Sequence, residues 1–485
     1  MMREMAGWRL EHTYADLPQI FHAPARPTTV REPRLVIFNR PLATWLGLDP
    51  DALDGAEGAA IFAGNTLPEG SRPIAQAYAG HQFGHLTGLG DGRAILLGEQ
   101  VTPSGERFDI QLKGPGPTRF SRRGDGRAAL GPMLREYIVS EAMHALGIPT
   151  TRSLAVAATG EPVHRETTLP GAVLTRVAAS HIRVGTMQWA AAHDVEATRA
   201  IADYTLARHY PELAGSADRY LELFRAISAR QASLIARWQL VGFIHGVMNT
   251  DNMALSGETI DYGPCAFMDT YDPATVFSSI DSGGRYAFGN QPPIAQWNLA
   301  RLAEAMLPLF DADGDRAVER ATTVLDRFPE LFTEHRLDGL RAKLGLFTRE
   351  PDDEALANDL LAWMRQRSAD FTNTFRSLTS GRLPGGANGA DPELDAWSRR
   401  WEDRRARQPQ SPAESAALMR QHNPAFIPRN HKVEEALAAA TSSGDLSVME
   451  RLLAVLATPY DHDRDLPAFS EPDSSERPYR TFCGT

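Results

Sequence analysis

The stretch HGVMNTDNMALSGETIDYG, residues 245–263, carries the pattern that decides the fold of this chain. Asn252 and Asp261 within it offer an amide and a carboxylate oxygen, and such oxygens are the ligands that Mg²⁺ accepts beside phosphate groups. Asp251, directly before Asn252, is the only acidic residue of the loop that opens the stretch. His245, at the start of that loop, suits a structural hydrogen bond better than proton transfer. The stretch therefore predicts a divalent cation held by Asn252 and Asp261.

The order of these residues resembles the catalytic loop of protein kinases, H-R-D-x-x-x-x-N, which is followed by an Asp-aromatic-Gly triplet. The five positions from Val247 to Asn252 equal the spacing between the kinase catalytic Asp and its metal-binding Asn. Val247 occupies the place of that Asp and cannot accept a proton. The alternative is a chance loop of polar residues, and its position after a suitable lysine and glutamate argues against chance.

Upstream of this loop, two short segments predict a β-hairpin. RAILLGE (93–99) and RFDIQLK (107–113) flank the turn TPSGE. Apolar and polar residues alternate along the second segment, so one face should pack and the other should meet solvent or ligand. The apolar face holds Phe108, Ile110 and Leu112, and the polar face holds Asp109, Gln111 and Lys113.

Two glycines and a lysine frame this hairpin. Gly90 and Gly92 would let backbone N–H groups come close to an anion. Lys113 would add a positive charge, and protein kinases cover and grip nucleotide phosphates with such a glycine turn and strand lysine. The glycines do not satisfy G-x-G-x-x-G, so a simple glycine turn with a surface lysine is the alternative.

The segment PMLREYIVSEAMHALG (132–147) predicts a helix, with Pro132 near its start and Gly147 at its end. Glu136 lies one turn into this helix, where it can pair with Lys113 and hold it toward phosphate. The alternative is a solvent-exposed helix face, because the helix dipole favours glutamate near an N-terminus in any case.

Arginines are concentrated in the same region of an acidic protein. Arg176 lies in the apolar strand-like segment AVLTRVA (172–178), where an unpaired charge would be unfavourable. The planar guanidinium suits bidentate contacts to phosphate oxygens. Pairing with local acids such as Asp125 is the alternative for several of them. The set comprises Arg93, Arg119, Arg122, Arg123, Arg127, Arg176 and Arg183.

The composition narrows the class of protein. The chain has 485 residues and a net charge of −11, which argues against general binding of nucleic acids or anionic membranes. Its two cysteines, Cys265 and Cys483, exclude a disulfide framework and indicate a reducing compartment. The sequence has no apolar run long enough to span a membrane and no apolar core of a signal peptide near its start. We therefore expect a cytoplasmic enzyme.

The chain changes character along its length. Short strands between glycine-rich turns occupy 77–190, and helical periodicity follows, over 193–208, 217–244, 294–309, 314–327, 352–378 and 433–456, with loops at 381–392 and 407–415. This order predicts an α+β, bilobal, protein-kinase-like fold with a mixed strand and helix N-lobe and a helical C-lobe. The predicted divisions are an N-terminal extension packed on the core (1–75), a nucleotide-binding N-lobe (76–190), a helical C-lobe with the catalytic loop (191–380) and a C-terminal helical extension and tail (381–485).

Long blocks spread over nearly the whole chain resemble the selenoprotein O family. They include FNRPLATWLGL, AGHQFGHLTGLGDGRA, QLKGPGPTRFSRRGDGRA, LREYIVSEAMHALGIPTTRSL, HGVMNTDNM, IDYGPCAFMD, QPPIAQWNLARLAEA and NPAFIPRNHKVEEAL. That family is similar to protein kinases in fold but lacks their catalytic Asp, as Val247 shows here. It is known for protein adenylylation, in which AMP moves from ATP to Ser, Thr or Tyr hydroxyls of other proteins and diphosphate leaves.

The resemblance implies a set of site residues and an inverted ATP, whose α-phosphate faces the acceptor. Asp251 matches the proton acceptor, and Asn252 and Asp261 match the ligands of Mg²⁺ or Mn²⁺. Asp125 and Gly126 would hold the adenosine end, and the surplus arginines would surround the β- and γ-phosphates. The positions implied for the nucleotide are Gly90, Gly92, Arg93, Lys113, Asp125, Gly126, Arg176, Arg183 and Asp261.

Three functions remain open from the sequence. The first is AMP transfer from ATP to protein hydroxyls, the second is conventional transfer of the γ-phosphoryl group with Asp251 as the base, and the third is a nucleotide-binding scaffold without activity. The intact metal pair argues against the scaffold. UTP is an alternative donor, because nothing in the sequence fixes the base.

A regulatory disulfide between Cys265 and Cys483 is a further hypothesis. Cys265 lies two residues after the DYG triplet, and Cys483 lies in a polar, proline-containing tail. A flexible tail can reach a distant segment, because the entropy of loop closure grows slowly with length. The alternative is that Cys265 is a small buried residue and Cys483 a free thiol. Some members of the family carry selenocysteine near their C-terminus, whereas this chain has Cys483 there.

Overall fold

The structure is a computed structural model that describes residues 6–381, 391–475 and 479–482. The strands in chain order are β1 (Leu10–Glu11), β2 (His22–Pro24), β3 (Arg34–Phe38), β4 (Ile74–Gln76), β5 (Ala79–Gln82), β6 (His85–Gly88), β7 (Ala94–Val101), β8 (Arg107–Lys113), β9 (Ala128–Ala129), β10 (Arg152–His164), β11 (Thr168–Ala178), β12 (Phe243–Ile244) and β13 (Ala266–Phe267). The α-helices are α1 (Arg40–Trp45), α2 (Pro50–Leu53), α3 (Ala56–Phe62), α4 (Leu130–Ala145), α5 (Val184–Ala191), α6 (Val195–His209), α7 (Arg219–Val241), α8 (Gln291–Phe310), α9 (Gly314–Leu325), α10 (Phe328–Lys343), α11 (Asp353–Gln366), α12 (Phe371–Leu378), α13 (Pro392–Ala406), α14 (Pro412–His422), α15 (Asn430–Ser442), α16 (Ser447–Leu456) and α17 (Pro467–Ser470).

A large antiparallel sheet organises the first half of the chain. Its strand order is β2-β4-β7-β8-β11-β10-β3, with β1 paired to β7 and β9 paired to β11. The predicted hairpin is confirmed as β7 and β8, and Lys113 lies opposite Ala94 on one side and Leu174 on the other. Gln111 lies opposite Arg176. Because side chains alternate between the two faces of a strand, Gln111, Lys113 and Arg176 share one face of the sheet.

Helix α4 confirms the predicted helix after the hairpin, and it packs on the sheet. Leu134 and Ile138 of α4 lie in one apolar cluster with Val156 of β10 and Leu174 of β11. Helices α15 and α16 add residues to the same cluster. Since α4 is fixed on the sheet in this way, its Glu136 is 2% exposed, and the alternative of a solvent-exposed helix face is excluded.

The polar face of β8 follows the ligand alternative of the prediction rather than the solvent alternative, because Gln111 and Lys113 line a cleft. Asp109, Gln111 and Lys113 are all buried. Asp109 accepts hydrogen bonds from the backbone N–H and the ring of His181 and pairs with Arg208. Buried polar groups require such partners, and here segments distant in the sequence provide them.

The helical part of the chain follows the predicted order with several breaks. The expected helices at 193–208, 217–244, 294–309 and 314–327 correspond to α6, α7, α8 and α9, whereas α10 was not predicted. The expected helix 352–378 is divided into α11 and α12. Ser368 has φ +50°, and Asp370 caps α12 by accepting a hydrogen bond from the Asn373 N–H at 2.7 Å.

Two further boundaries correct the sequence-based assignment. The expected helix 433–456 is divided into α15 and α16 on either side of Gly444, which has φ +70°. The expected loop 407–415 gives way to α14 at Pro412, where Ser411 and Glu414 form a capping box. Of the expected loop 381–392, residues 382–390 lie outside the described residues.

Helix α7 ends at Gly242 and leads directly into the loop 245–263. Gly242 adopts φ +73°, the left-handed conformation that commonly terminates helices. The short strands β12 and β13 then pair antiparallel and bracket the loop. Within the described ranges, no helix has the length and apolar character needed to cross a membrane.

Candidate active site

Four charged side chains meet at the end of β8 and form a group that we call the charged quartet: Lys113, Glu136, Arg176 and Asp261. The Lys113 Nζ lies 2.6 Å from Glu136 Oε2 and 2.5 Å from Asp261 Oδ1. Arg176 Nη2 lies 2.5 Å from Glu136 Oε1 and 3.3 Å from Asp261 Oδ1. The predicted pairing of Lys113 with Glu136 is therefore confirmed.

The two cations of the quartet keep both acids ionised. Burial alone would raise the pKa of Asp261, but Lys113 and Arg176 outweigh it and hold that pKa well below its usual range. Burial would likewise raise the pKa of Glu136, and the charges of Arg176 and Lys113 lower it instead. Since Glu136 contacts both cations, it fixes their position on the face of the sheet.

The backbone around Asp261 is held in an unusual conformation. Asp261 has φ +67°, a left-handed conformation that aspartate tolerates better than most residues. His245 is fully buried, and its Nε2 lies 2.9 Å from the Ile260 carbonyl oxygen, which directly precedes Asp261. Burial lowers the pKa of His245. A neutral His245 that donates to Ile260 confirms the structural hydrogen bond that we predicted for it.

The residues expected to hold a metal have a donor set that suits a hard cation. Both cations of the quartet contact Oδ1 of Asp261. Asn252 donates from Nδ2 to the Val247 carbonyl oxygen at 3.1 Å, so its amide oxygen is the atom left to accept or ligate. In the described part of the chain, no group of three or more His, Cys, Asp or Glu side chains could hold a metal ion. The residues therefore fit a metal that is shared with phosphate oxygens.

Asp251 is a buried carboxylate with an unsatisfied oxygen. It is 8% exposed, and its Oδ1 has no hydrogen-bond partner. Burial raises the pKa of Asp251 to about 6. A carboxylate that is kept unpaired in a cleft is a candidate proton acceptor, because catalytic bases have pKa values displaced toward the working pH.

Two glycines allow the chain to pack this closely around Asp251. A Cβ on Gly80 in β5 would lie 2.3 Å from Asp251 Oδ1, and a Cβ on Gly185 in α5 would lie 1.9 Å from the Ala79 carbonyl oxygen. The hairpin of β5 and β6 also contacts the loop 245–263, because the His81 N–H donates a hydrogen bond to Thr250 Oγ1 at 2.7 Å. The hairpin thus covers one side of the Asp251 carboxylate.

The site residues implied by the family resemblance all line one cleft with a volume of about 570 Å³. Of the other candidates, Glu136, Arg119, Arg122 and Arg123 do not line it. Val247, at the position of the kinase catalytic Asp, lines it as well. The expected residues brought together there are Gly90, Gly92, Arg93, Lys113, Asp125, Gly126, Arg176, Arg183, Asp251, Asn252 and Asp261.

The cleft also contains residues that the sequence did not reveal. Arg165, from the turn between β10 and β11, binds both carboxylate oxygens of Asp125 at 2.8 and 3.0 Å. No local pattern connects two residues that lie 40 positions apart. Asp91 lies between Gly90 and Gly92 in the sequence, and a charged residue in that glycine turn could have indicated a site residue. It is 3% exposed and accepts from Gln111 Nε2 at 3.2 Å.

The arginines of this region fall into different classes. Arg127 pairs with Glu161, and Arg176 belongs to the quartet. Both partners are distant in the sequence, and Asp125 pairs with Arg165 instead, so these contacts are not the local ion pairs of the alternative. Arg183 behaves differently: it donates to the His181 and Asp251 carbonyl oxygens and stacks 4.2 Å from the centre of the Tyr78 ring. Within the ranges that the structure describes it forms no salt bridge, although its charge acts to lower the pKa values of Asp91 and Asp251 against the effect of their burial.

The segment after Asp261 receives the C-terminal tail. Thr481 pairs with Ser278 as an isolated parallel bridge, and its Oγ1 donates to the Pro264 carbonyl oxygen at 2.7 Å. Cys265 is buried, and burial raises the pKa of its thiol to about 12. Cys483 lies outside the described residues, so the disulfide with Cys265 stays a prediction.

Comparison with known proteins identifies relatives that match this chain over its whole length. A family model described as protein adenylyltransferase SelO matches residues 5–457. The protein nucleotidyltransferase YdiU of Bacillus cytotoxicus is 58% identical over 485 residues, which covers 100% of this chain and 99% of the relative. The proteins of the same name from Geobacillus kaustophilus and Halalkalibacterium halodurans are 59% and 60% identical, each over 482 residues that cover 99% of this chain and 100% and 98% of the relatives.

Proposed function

Because this chain belongs to the SelO family of protein adenylyltransferases, we propose that it transfers AMP from ATP to Ser, Thr or Tyr hydroxyls of other proteins. The observation that carries the proposal is the position of Asp251 in the same cleft as Lys113, Arg176 and Asp261 of the charged quartet. A valine replaces the kinase base, and the acid that remains is unpaired and buried. This arrangement offers a proton acceptor beside a phosphate-binding group.

The proposed step follows from the roles of these side chains. Asp251 takes the proton of the acceptor hydroxyl, whose oxygen forms a bond to the α-phosphorus of ATP. The bond from that phosphorus to the bridging oxygen breaks, and diphosphate leaves with its electron pair. Lys113 and Arg176 would neutralise the phosphates, since contacts between cations and phosphate are strong hydrogen bonds.

We propose that ATP lies inverted in a protein-kinase-like, bilobal frame. Arg183 supports this orientation, because it lines the cleft and its described hydrogen bonds go to carbonyl oxygens, so its charge can face a terminal phosphate. At the other end, Asp125 and Gly126 would hold the adenosine. Gly126 has φ +66°, and a Cβ there would lie 2.1 Å from the Gly116 carbonyl oxygen, so only glycine fits this turn.

Asn252 and Asp261 would hold Mg²⁺ or Mn²⁺ through oxygen atoms. Such an ion, when bound, neutralises charge on phosphate oxygens and favours the departure of diphosphate. The protein's own part is to present Asp261 ionised, which Lys113 and Arg176 ensure by lowering its pKa.

The position of the transferred label separates the proposed function from a conventional kinase. We expect protein substrates incubated with the enzyme to retain label from α-³²P ATP and none from γ-³²P ATP. Mass spectrometry of the modified peptide should show AMP on a hydroxyl side chain. Label from γ-³²P ATP would instead establish phosphoryl transfer, and a parallel reaction with α-³²P UTP tests the alternative donor.

Replacing Gly80 with alanine is expected to lower the transfer rate on the order of 10²-fold, because the new methyl group displaces Asp251 and small displacements of reacting groups have effects of this size. ATP affinity should change less than the rate: the methyl group also lies 2.6 Å from Leu89 Cδ1 at the cleft wall, but none of the cations of the quartet is displaced. Steady-state rates and calorimetric ATP binding give the two quantities.

Gly88→Ala is a matched control in the same hairpin. Its Cβ would lie 3.4 Å from the Trp189 ring, an ordinary van der Waals contact. We expect this variant to transfer AMP at the rate of the original protein. Equal rates for both alanine variants would show that the close contact of Gly80 with Asp251 has no part in positioning it.

A further inference from the structure

Lysine is rare in this chain, and one of its lysines is buried away from the proposed active site. Only Lys113, Lys343 and Lys432 occur among the 50 Lys and Arg residues. Lys113 belongs to the quartet, and Lys432 pairs with Glu435. Lys343, the last residue of α10, is 2% exposed. Lysine is rarely buried to this extent unless it is paired.

Lys343 has no acidic partner in the part of the chain that the structure describes. Its Nζ lies 3.5 Å from the His422 carbonyl oxygen and 4.4 Å from the centre of the Phe375 ring. A hydrogen bond to a single carbonyl oxygen at that distance is weak. Burial lowers the pKa of Lys343 to about 7, and no nearby carboxylate opposes this shift. The amine is therefore a buried basic group without its counter-charge.

A cavity of about 410 Å³ borders this lysine. Its wall contains further basic side chains, Arg237, His335 and His422, all of them exposed residues. No aspartate or glutamate lines it. Apolar residues also line the cavity and include Ile148, Ala236, Leu240 and Val241. The volume is in the range of small-molecule sites, which are mostly apolar with a few convergent polar groups.

We propose that this cavity binds a small organic anion, with its carboxylate or phosphate group on Lys343 and its apolar body against α7. Such an anion supplies the counter-charge that the described part of the chain does not. Arg237 already donates to the Gly147 carbonyl oxygen at 2.9 Å, which holds its guanidinium at the wall of the cavity. The site is separate from the proposed transfer site, because none of the residues that line it also lines the 570 Å³ cleft.

Lysine-selective NMR tests this proposal directly, because only three side-chain signals arise. The full-length protein labelled with ¹³C at the lysine ε-carbon is titrated with octanoate in one arm and with phenyl phosphate in the other. We expect saturable movement of the Lys343 signal and none of the Lys432 signal. The titration midpoint of Lys343 should rise when the probe is bound, since an anion favours the ammonium form. The two arms distinguish a carboxylate ligand from a phosphate ester.

Two variants locate the site. Lys343→Met keeps an unbranched side chain one atom shorter and removes the charge, and we expect binding weaker by about tenfold or more, the effect of losing one charged hydrogen bond. Ser233→Trp leaves Lys343 in place and fills the cavity from α7, and it should also abolish binding. Lys432→Met is the matched control and should bind both probes normally.

Each outcome decides the proposal. Binding of either probe that depends on Lys343 and is blocked by Ser233→Trp supports it. A Lys343 signal that moves with neither probe overturns it, and so does binding that survives Ser233→Trp. If Lys343→Met does not fold, the Ser233→Trp variant and the titration of Lys343 in the original protein still give the answer. AMP transfer is not part of the measurement, so the proposed function can fail independently.

Discussion

Replacing Asp261 with asparagine is expected to reduce AMP transfer by a factor on the order of 10²–10³, the usual effect of removing one group that stabilises charge at a reacting phosphate. The amide keeps the shape of the side chain but cannot neutralise a cation, and asparagine also tolerates the left-handed backbone of this position. Lys113 and Arg176 still have Glu136 as their partner, so the sheet face should remain ordered. Initial rates at saturating Mg²⁺ or Mn²⁺ measure the effect.

Asp359→Asn makes the same chemical change far from the cleft and serves as the control. Asp359 pairs with Arg400, and both side chains are about half exposed. We expect this variant to transfer AMP normally and to unfold at the original temperature. Transfer near the original rate by a folded Asp261→Asn variant would remove Asp261 from the proposed mechanism.

Replacing Asp251 with asparagine is expected to lower the rate of transfer by about 10²–10⁴, the usual contribution of a general base. ATP affinity should stay within about twofold, since the carboxylate acts on the acceptor hydroxyl and not on the phosphates. Asparagine fills the same space beneath Gly80, so the hairpin of β5 and β6 should keep its place. Single-turnover rates together with calorimetric ATP binding separate these two effects.

The comparison with Asp261→Asn makes the test of Asp251 specific. The Asp261 variant should lose affinity for the metal–nucleotide complex as well as rate, whereas the Asp251 variant should lose rate alone. If ATP binding disappeared in the Asp251 variant, the role of this residue would be structural or metal-binding. If its rate were unchanged, another group would have to accept the proton.

The sequence was informative where chemistry depends on short spacings. The order of hairpin, lysine and helical glutamate predicted the contact between Lys113 and Glu136, beside the alternative of a solvent-exposed glutamate. The spacing of Val247 and Asn252 predicted a loop that lines the cleft. Such contacts follow from regular elements, because the end of a strand and the first two turns of the next helix have few possible arrangements. The strands β7 and β8 and the helix α4 were predicted for the same reason.

Other features depend on packing between distant segments, and the sequence could not predict them. Arg165 reaches Asp125 from the turn between β10 and β11, and β11 begins at Thr168, before the predicted segment 172–178. The polar face of β8 is buried because His181 and Arg208 supply partners from other elements. Periodicity alone also predicted one helix over 352–378, where the structure has α11 and α12. A single residue with positive φ, such as Ser368, ends a helix but leaves the apolar pattern almost unchanged.

The balanced charges of the quartet determine how the cleft acts on a nucleotide that is still in solution. Two cations and two carboxylates lie within ion-pair distance of one another, so their fields largely cancel beyond the site. At physiological ionic strength, screening removes what remains over about 8 Å. The quartet therefore does little to steer a triphosphate from afar, and it acts after arrival, through contacts that dissolved salt screens only weakly.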